Sequence, residues 1–108
     1  MMCDNANVVL GLPRSVFDVV SALCGDYSRR ADYEAEDEAV RSVNRTLNNV
    51  IDGALVVIDI GMRDIIFSDL ISGKGYRKSR AAIMCGKGTY YRQKKRFVKK
   101  IAEELHLI

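Results

Sequence analysis

The sequence predicts an all-α protein of about five helices, and three observations carry that prediction. Apolar residues recur at steps of three and four through most of the 108 residues. No stretch alternates apolar and polar residues between hairpin turns. Glycines or turn residues fall where each periodic segment stops. The patterning singles out a long central helix and a C-terminal helix-turn-helix unit.

Residues 1–11 carry no periodic pattern and are read as irregular, with Val8, Val9 and Leu10 apolar enough to dock elsewhere. Pro13, the only proline, fits a first helical position, where its missing N–H costs nothing. From it Val16, Phe17, Val20, Leu23 and Cys24 repeat at helical spacing, and Gly25 is placed to end the helix. After the turn GDYS, the pattern from Arg29 to Asp59 is helical throughout, carried by Ala39, Val43, Leu47, Val50, Ile51, Ala54, Leu55 and Ile58. This is the long central helix. Its first turns are acidic from Glu34 to Glu38, which suits the N-terminal half of a helix and otherwise reads as a solvated face. Gly53 lies inside the pattern at a cost of about 1 kcal/mol against alanine. It fits either a close helix crossing or a break.

Ile60 and Gly61 separate the long helix from a segment Met62–Ile71, whose apolar face is Met62, Ile65, Ile66 and Leu70 and whose stop is Gly73. Lys74 and Gly75 are turn residues. A short amphipathic helix from Tyr76 to Met84 follows, with Tyr76, Ala81, Ile83 and Met84 available for packing, and Gly86 takes the N-cap of the last helix. In that helix Tyr90, Phe97, Ile101 and Leu105 form an apolar stripe widened by Val98 and Ala102, while Gly88, Arg92, Lys95 and Lys99 fall opposite. Helix, turn, short helix, turn and basic helix is the order of a helix-turn-helix unit, whose last helix enters the major groove by its N-terminal residues.

Charge reinforces this assignment. Six of the nine residues from Arg92 to Lys100 are Lys or Arg with no acid among them, and residues 71–108 carry eleven basic and two acidic side chains against six and twelve in the first 70. A polyanion is the natural partner of the C-terminal part. Double-stranded DNA is the expected one, with base edges met by Lys87, Gly88, Tyr91, Arg92 and Lys95 and phosphates by Lys74, Lys78, Arg96, Lys99 and Lys100. The whole chain is read as a single helical domain, in which residues 1–59 form an acidic part suited to oligomerisation and residues 60–108 the DNA-binding part. More apolar helix face is present than one small core covers, so a homo-oligomer, a dimer in the simplest case, is expected.

Other classes are poorly served. Cys3, Cys24 and Cys85 are widely spaced and His106 is the only histidine, a pattern that provides neither a metal site nor a disulfide framework. Cys24 and Cys85 are read as small core residues, and reduced thiols point to a cytoplasm. No signal segment or membrane span is visible, and no cofactor motif, since both phosphate-loop patterns are absent. His106 near a frayed C-terminus has no nucleophile to serve, so an enzyme is not expected. Two alternatives are kept: a small helical adaptor whose basic helix binds an acidic protein, and an RNA-binding protein using Tyr91 beside the cations, Tyr90 being assigned to the core.

The residues GKGTYYRQKKRFVKKIAEEL at 86–105, with ISGKGYRKS at 71–79 and more weakly DYSRR at 26–30, resemble the small phage-encoded transcriptional regulators of the RinA and ArpU type. The C-terminal part of those proteins looks like region 4 of sigma factors. The resemblance extends over roughly residues 26–106, with TYYRQKKRF its most specific part. It implies an all-helical DNA-binding protein without enzymatic activity that regulates prophage genes, typically late or packaging genes, in a bacterial host, with RNA polymerase as a further partner.

Overall fold

The computed structural model describes residues 7–33 and 36–108; Cys3, and Glu34 of the acidic run, lie outside the described residues. Among the described residues the chain is all-α, with helices α1 (Arg14–Gly25), α2 (Tyr27–Asp32), α3 (Glu38–Val56), α4 (Arg63–Ser72) and α5 (Lys87–Glu104). One small sheet precedes them. Its strands β1 (Val8–Val9) and β2 (Leu12–Pro13) pair antiparallel, Val8 opposite Pro13 and Val9 opposite Leu12.

That hairpin corrects, for residues 8–11, the reading of residues 1–11 as irregular; residues 1–6 lie outside the described residues. Leu10 and Gly11 both take positive φ, 56° and 74°, as the two-residue turn that matches strand twist requires. Strands of two residues are too short to display alternation, and leucine in place of Asn or Asp hides the turn. Leu12 is buried and Leu10 packs on the core. Pro13 accordingly closes the hairpin and stands at the N-cap of α1, one residue ahead of its expected place, while Gly25 is the last helical residue and Asp26 donates back to the Ala22 carbonyl at 3.2 Å.

The long central helix is two helices. Tyr33 after α2 is extended, and Asp37 caps α3 by accepting from the Ala39 N–H at 2.8 Å. Arg30 supplies the reason for the break. Its side chain is buried, with Nε donating to Asn48 Oδ1 at 2.8 Å and a terminal nitrogen donating to the Leu23 carbonyl. Asn48 donates to the Tyr27 carbonyl at 3.2 Å, and the Tyr27 hydroxyl donates to Asp52 at 2.7 Å. A buried guanidinium must be satisfied, and these bonds fold α2 back along α3. Glu36 and Asp37 therefore precede α3 instead of lying in its first turns. α3 itself runs unbroken through Gly53.

α3 and α5 run antiparallel. The Asp59 N–H donates to Gln93 Oε1 at 3.2 Å, while Lys100 and Glu104 flank Asn49 and Gly53. α1 and α4 pack against this pair, and the core closes around Val20, Ile51, Ile66, Phe97, Val98 and Ile101. Tyr27, Phe67 and Phe97 follow one another edge to face, with centroids 5.7 and 6.5 Å apart. Both halves of the chain share this single core.

Between α4 and α5 the predicted short helix is two 3₁₀ turns, Tyr76–Lys78 and Arg80–Ile83. Ser79 divides them. Its backbone is extended (φ −85°, ψ 150°), and its buried hydroxyl accepts from the Ala81 N–H at 3.0 Å, a cap that starts the second turn by ending the first. Ala81 packs as expected, but Ile83 and Met84 are exposed.

Candidate nucleic-acid interface

α5 divides its circumference about evenly. Tyr90, Gln93, Lys94, Phe97, Val98, Ile101 and Ala102 are buried, whereas Gly88, Arg92, Lys95, Arg96, Lys99 and Glu103 form one exposed stripe. The apolar and cationic faces thus lie where the 3.6-residue period puts them, with Leu105 half-buried at the end of the apolar stripe. Among the described residues no ion pair involves Lys87, Arg92, Lys95, Arg96 or Lys99. Arg92 donates to Thr89 Oγ1 at 3.4 Å one turn earlier.

Two of the basic helix's expected contacts, Tyr91 and Lys100, and one further cation of its basic run, Lys94, are placed differently. Tyr91 is half-buried, its ring edge-on to Tyr90 at 5.1 Å and its hydroxyl accepting from the Tyr76 N–H at 3.3 Å. It therefore braces the helix from inside the fold instead of presenting a free ring. Lys94 turns inward, so the run of cations offers one charge fewer than its sequence does. Lys100 is bonded to Glu104 at 2.9 Å, four residues on and beyond the acid-free run Arg92–Lys100. This bond, and the Glu104 charge behind it, hold the Lys100 ammonium above its ordinary range. Lys87, Lys74 and Lys78 are exposed as expected. Lys95 is exposed too, but its Nζ reaches the hairpin turn, 2.9 Å from where a Cβ on Gly11 would stand. β1 and β2 thus border the cationic stripe.

What aims the stripe is a buried polar cluster that the sequence reading missed. The Tyr90 hydroxyl donates to Asp69 Oδ2 at 2.8 Å, and Lys94 Nζ donates to the Lys74 carbonyl at 3.1 Å while lying 3.5 Å from the Tyr90 oxygen and 5.4 Å from its ring centre. Burial pushes the Tyr90 phenol up, and the Asp69 carboxylate adds to it. Burial lowers Lys94, partly offset by Asp69. Alongside, the Tyr76 hydroxyl donates to the Cys85 carbonyl at 2.7 Å, and its ring tilts against Tyr90 at 5.6 Å. These bonds tie the N-terminal half of α5 to α4 and to both 3₁₀ turns. A signal was present: Asp69 lies four residues after Ile65, and Lys94 four after Tyr90, so each falls on an apolar face, where a charge needs a partner.

The far end of α5 is capped, not frayed. His106 takes the left-handed conformation (φ 57°), its N–H donating to the Glu103 carbonyl at 3.1 Å and the Leu107 N–H to the Ala102 carbonyl at 2.8 Å. This is the Schellman arrangement. Of the described cysteines, Cys24 is buried as a core residue and Cys85 is half-buried beside the second 3₁₀ turn; both are free thiols. Among the described residues no group of three or more His, Cys, Asp or Glu side chains could hold a metal ion, and no helix is long and apolar enough to cross a membrane. No protein-family model, curated protein or solved structure matches this chain.

Proposed function

We propose that this protein binds duplex DNA sequence-specifically through the exposed stripe of α5 and regulates transcription of prophage genes, without enzymatic activity. One observation carries the reading: four cations, Arg92, Lys95, Arg96 and Lys99, share one face of a single helix with no ion pair among the described residues to neutralise them, and Lys87 stands at the helix's start. A helix so charged and so firmly clamped fits a groove lined by phosphates. Lys74 and Lys78, exposed in the preceding turns, would extend the contact along the backbone. RNA polymerase, the second partner implied by the sequence resemblance, would meet the protein on DNA.

The aromatic residues argue against single-stranded RNA. Tyr90 is fully buried and Tyr91 is braced on Tyr76, which leaves the cationic stripe of α5 no free ring on which bases stack. The adaptor reading draws on a different observation, the pair of 3₁₀ turns where a groove-docking unit has its supporting helix; in it the same stripe meets an acidic protein.

Fluorescence anisotropy with duplexes from the protein's genomic neighbourhood, random duplex, single-stranded RNA and an acidic protein separates these readings. Duplex DNA is expected to bind best, one neighbouring sequence above random, with a log–log salt slope of about −4 to −5 for four to six phosphate contacts. A flat slope, or equal affinity for the acidic protein, selects the adaptor instead.

A further inference from the structure

Where α3 meets α2 it carries a polar stripe, although a helix face turned toward a neighbouring helix is ordinarily apolar. Arg41, Asn44, Arg45 and Asn48 fall on one side of α3 by their spacing. With Arg30 and Tyr33 they line a cleft of about 510 Å³. Arg30 is only 5% exposed, and its charge has no counter-ion among the described residues. Its Nε and one terminal nitrogen donate to Asn48 and to the Leu23 carbonyl, both of them neutral. The other terminal nitrogen has no partner among the described residues, yet it is not sealed from solvent, because Ser21 Oγ is the one fully buried side-chain atom left unbonded there. It therefore opens on the cleft that Arg30 lines.

Arg45 lines the same cleft from α3 and, among the described residues, makes neither an ion pair nor a hydrogen bond through its side chain. Arg41 is different, being held by Glu38. No described acid lines the cleft. Those on the elements around it are engaged or turned away: Asp26, which feels the Arg30 charge, is bonded to Arg29, Asp37 caps α3, and Asp52 accepts from Tyr27. Asp32 and Glu36 are exposed outside the lining, and Glu104, in the neighbouring groove beyond Asn49, is bonded to Lys100. Two cations in the cleft, Arg30 and Arg45, are thus uncompensated by any described residue. A guanidinium taken out of water beside no anion is unfavourable, so an anion that enters restores what its burial costs.

We propose that this cleft binds a small phosphate monoester, its phosphate held by the guanidinium groups of Arg30 and Arg45. Charge selects the class. A phosphate monoester carries about −1.5 to −2 at pH 7 and three acceptor oxygens, which answers two cations, whereas a carboxylate or a DNA phosphodiester brings a single charge. Guanidinium groups match phosphate oxygens by paired N–H donors. The cleft is also larger than a bare phosphate needs. Asn44 and Asn49 line it with amides that have no side-chain hydrogen bond among the described residues, and Tyr33 borders it with an exposed ring. These supply polar contacts and an aromatic face for the organic part of the ester. None of this depends on whether α5 binds DNA.

Titration calorimetry of the full chain with adenosine monophosphate, adenosine and inorganic phosphate tests the proposal. The monophosphate is expected to bind one per chain, with adenosine and inorganic phosphate each weaker by about tenfold or more. Arg45→Gln, at an exposed position that leaves the helical circular dichroism unchanged, weakens the monophosphate by about tenfold. Arg77→Gln removes the same charge from an exposed site outside the cleft and leaves the affinity as it was. A wild-type chain that takes up no monophosphate at millimolar concentration overturns the proposal. So does adenosine or inorganic phosphate binding as tightly as the monophosphate, an Arg45→Gln variant that binds it as before, or an Arg77→Gln variant that loses as much as Arg45→Gln.

Discussion

Arg92 and Lys99 lie on the same exposed stripe of α5, but two turns separate them, and on the proposed reading that separation divides their work. Arg92 stands near the N-terminal end, where a groove-docked helix comes closest to base edges, and its planar fork can bond guanine O6 and N7 together. Lys99 stands where the helix leaves the groove, and its point charge positions without specifying. Arg92→Ala is expected to cost about 1–3 kcal/mol on the specific duplex and little on random DNA; Lys99→Ala weakens both alike and flattens the salt slope by about one. Titrations of both duplexes at several salt concentrations distinguish the two. Equal proportional losses in both variants would remove the groove-reading assignment. Cys24 shows burial acting on a single group. Desolvation raises its thiol from 9.0 to about 12, against a smaller opposing effect of Arg30. The unfolded chain then loses this proton near pH 9 while the folded chain keeps it to about pH 12. Through that window the unfolded state binds fewer protons, so stability falls as pH rises, and below it the thiol contributes no pH dependence.

At the scale of elements, two helices end in the same way with different residues. α4 stops at Gly73 (φ 74°), with the Lys74 N–H donating to the Asp69 carbonyl at 3.0 Å. α5 stops at His106 (φ 57°) with the equivalent bond from Leu107. Glycine pays no steric penalty in the left-handed region, whereas a residue with a Cβ loses about 1–2 kcal/mol. His106→Gly should therefore stabilise the protein by about 1 kcal/mol and raise its thermal midpoint by roughly 4–8 °C. Gly73→Ala should lower stability by about the same amount. Calorimetry on the two variants checks both signs, and a destabilised His106→Gly would mean that the imidazole contributes more than its backbone strain costs. α3 obeys the same local chemistry at its start, where the Asp37 carboxylate satisfies the Ala39 N–H.

For the molecule as a whole, these contributions meet in its response to pH. Tyr90, raised from 10.0 by burial and by Asp69, adds a loss of stability with the same sign as that of Cys24 but beginning about one unit higher. Lys94, lowered from 10.5 by burial, acts oppositely, because the unfolded chain holds that proton longer. Cys24 and Tyr90 are displaced further than Lys94, so a net fall is expected from about pH 9 upward. Urea unfolding across the alkaline range should show it, with the onset moving to about pH 10 in Cys24→Ala, where the raised phenols of Tyr90 and Tyr27 remain. An onset unmoved by that substitution would assign the loss to other groups.

Periodicity and charge by themselves determined the helical class, the limits of α4 and α5 to within one residue, and which face of α5 is buried. Each of these follows from the local geometry of one helix, in which residues three and four apart share a side. The cationic stripe was legible for the same reason, and Gly73 was legible because only a stop explains it. What the tertiary structure alone decided depends on partners distant in sequence. The pattern from Arg29 to Asp59 runs through Tyr33 without a flaw, and the helix breaks there because Arg30 finds Asn48 and Leu23. Lys94 reads as one more surface cation until the Lys74 carbonyl and Tyr90 draw it inside, and Tyr91 reads as exposed until Tyr76 braces it. A buried polar side chain goes where its hydrogen bonds can be completed, and the position of those bonds is a property of the assembled fold.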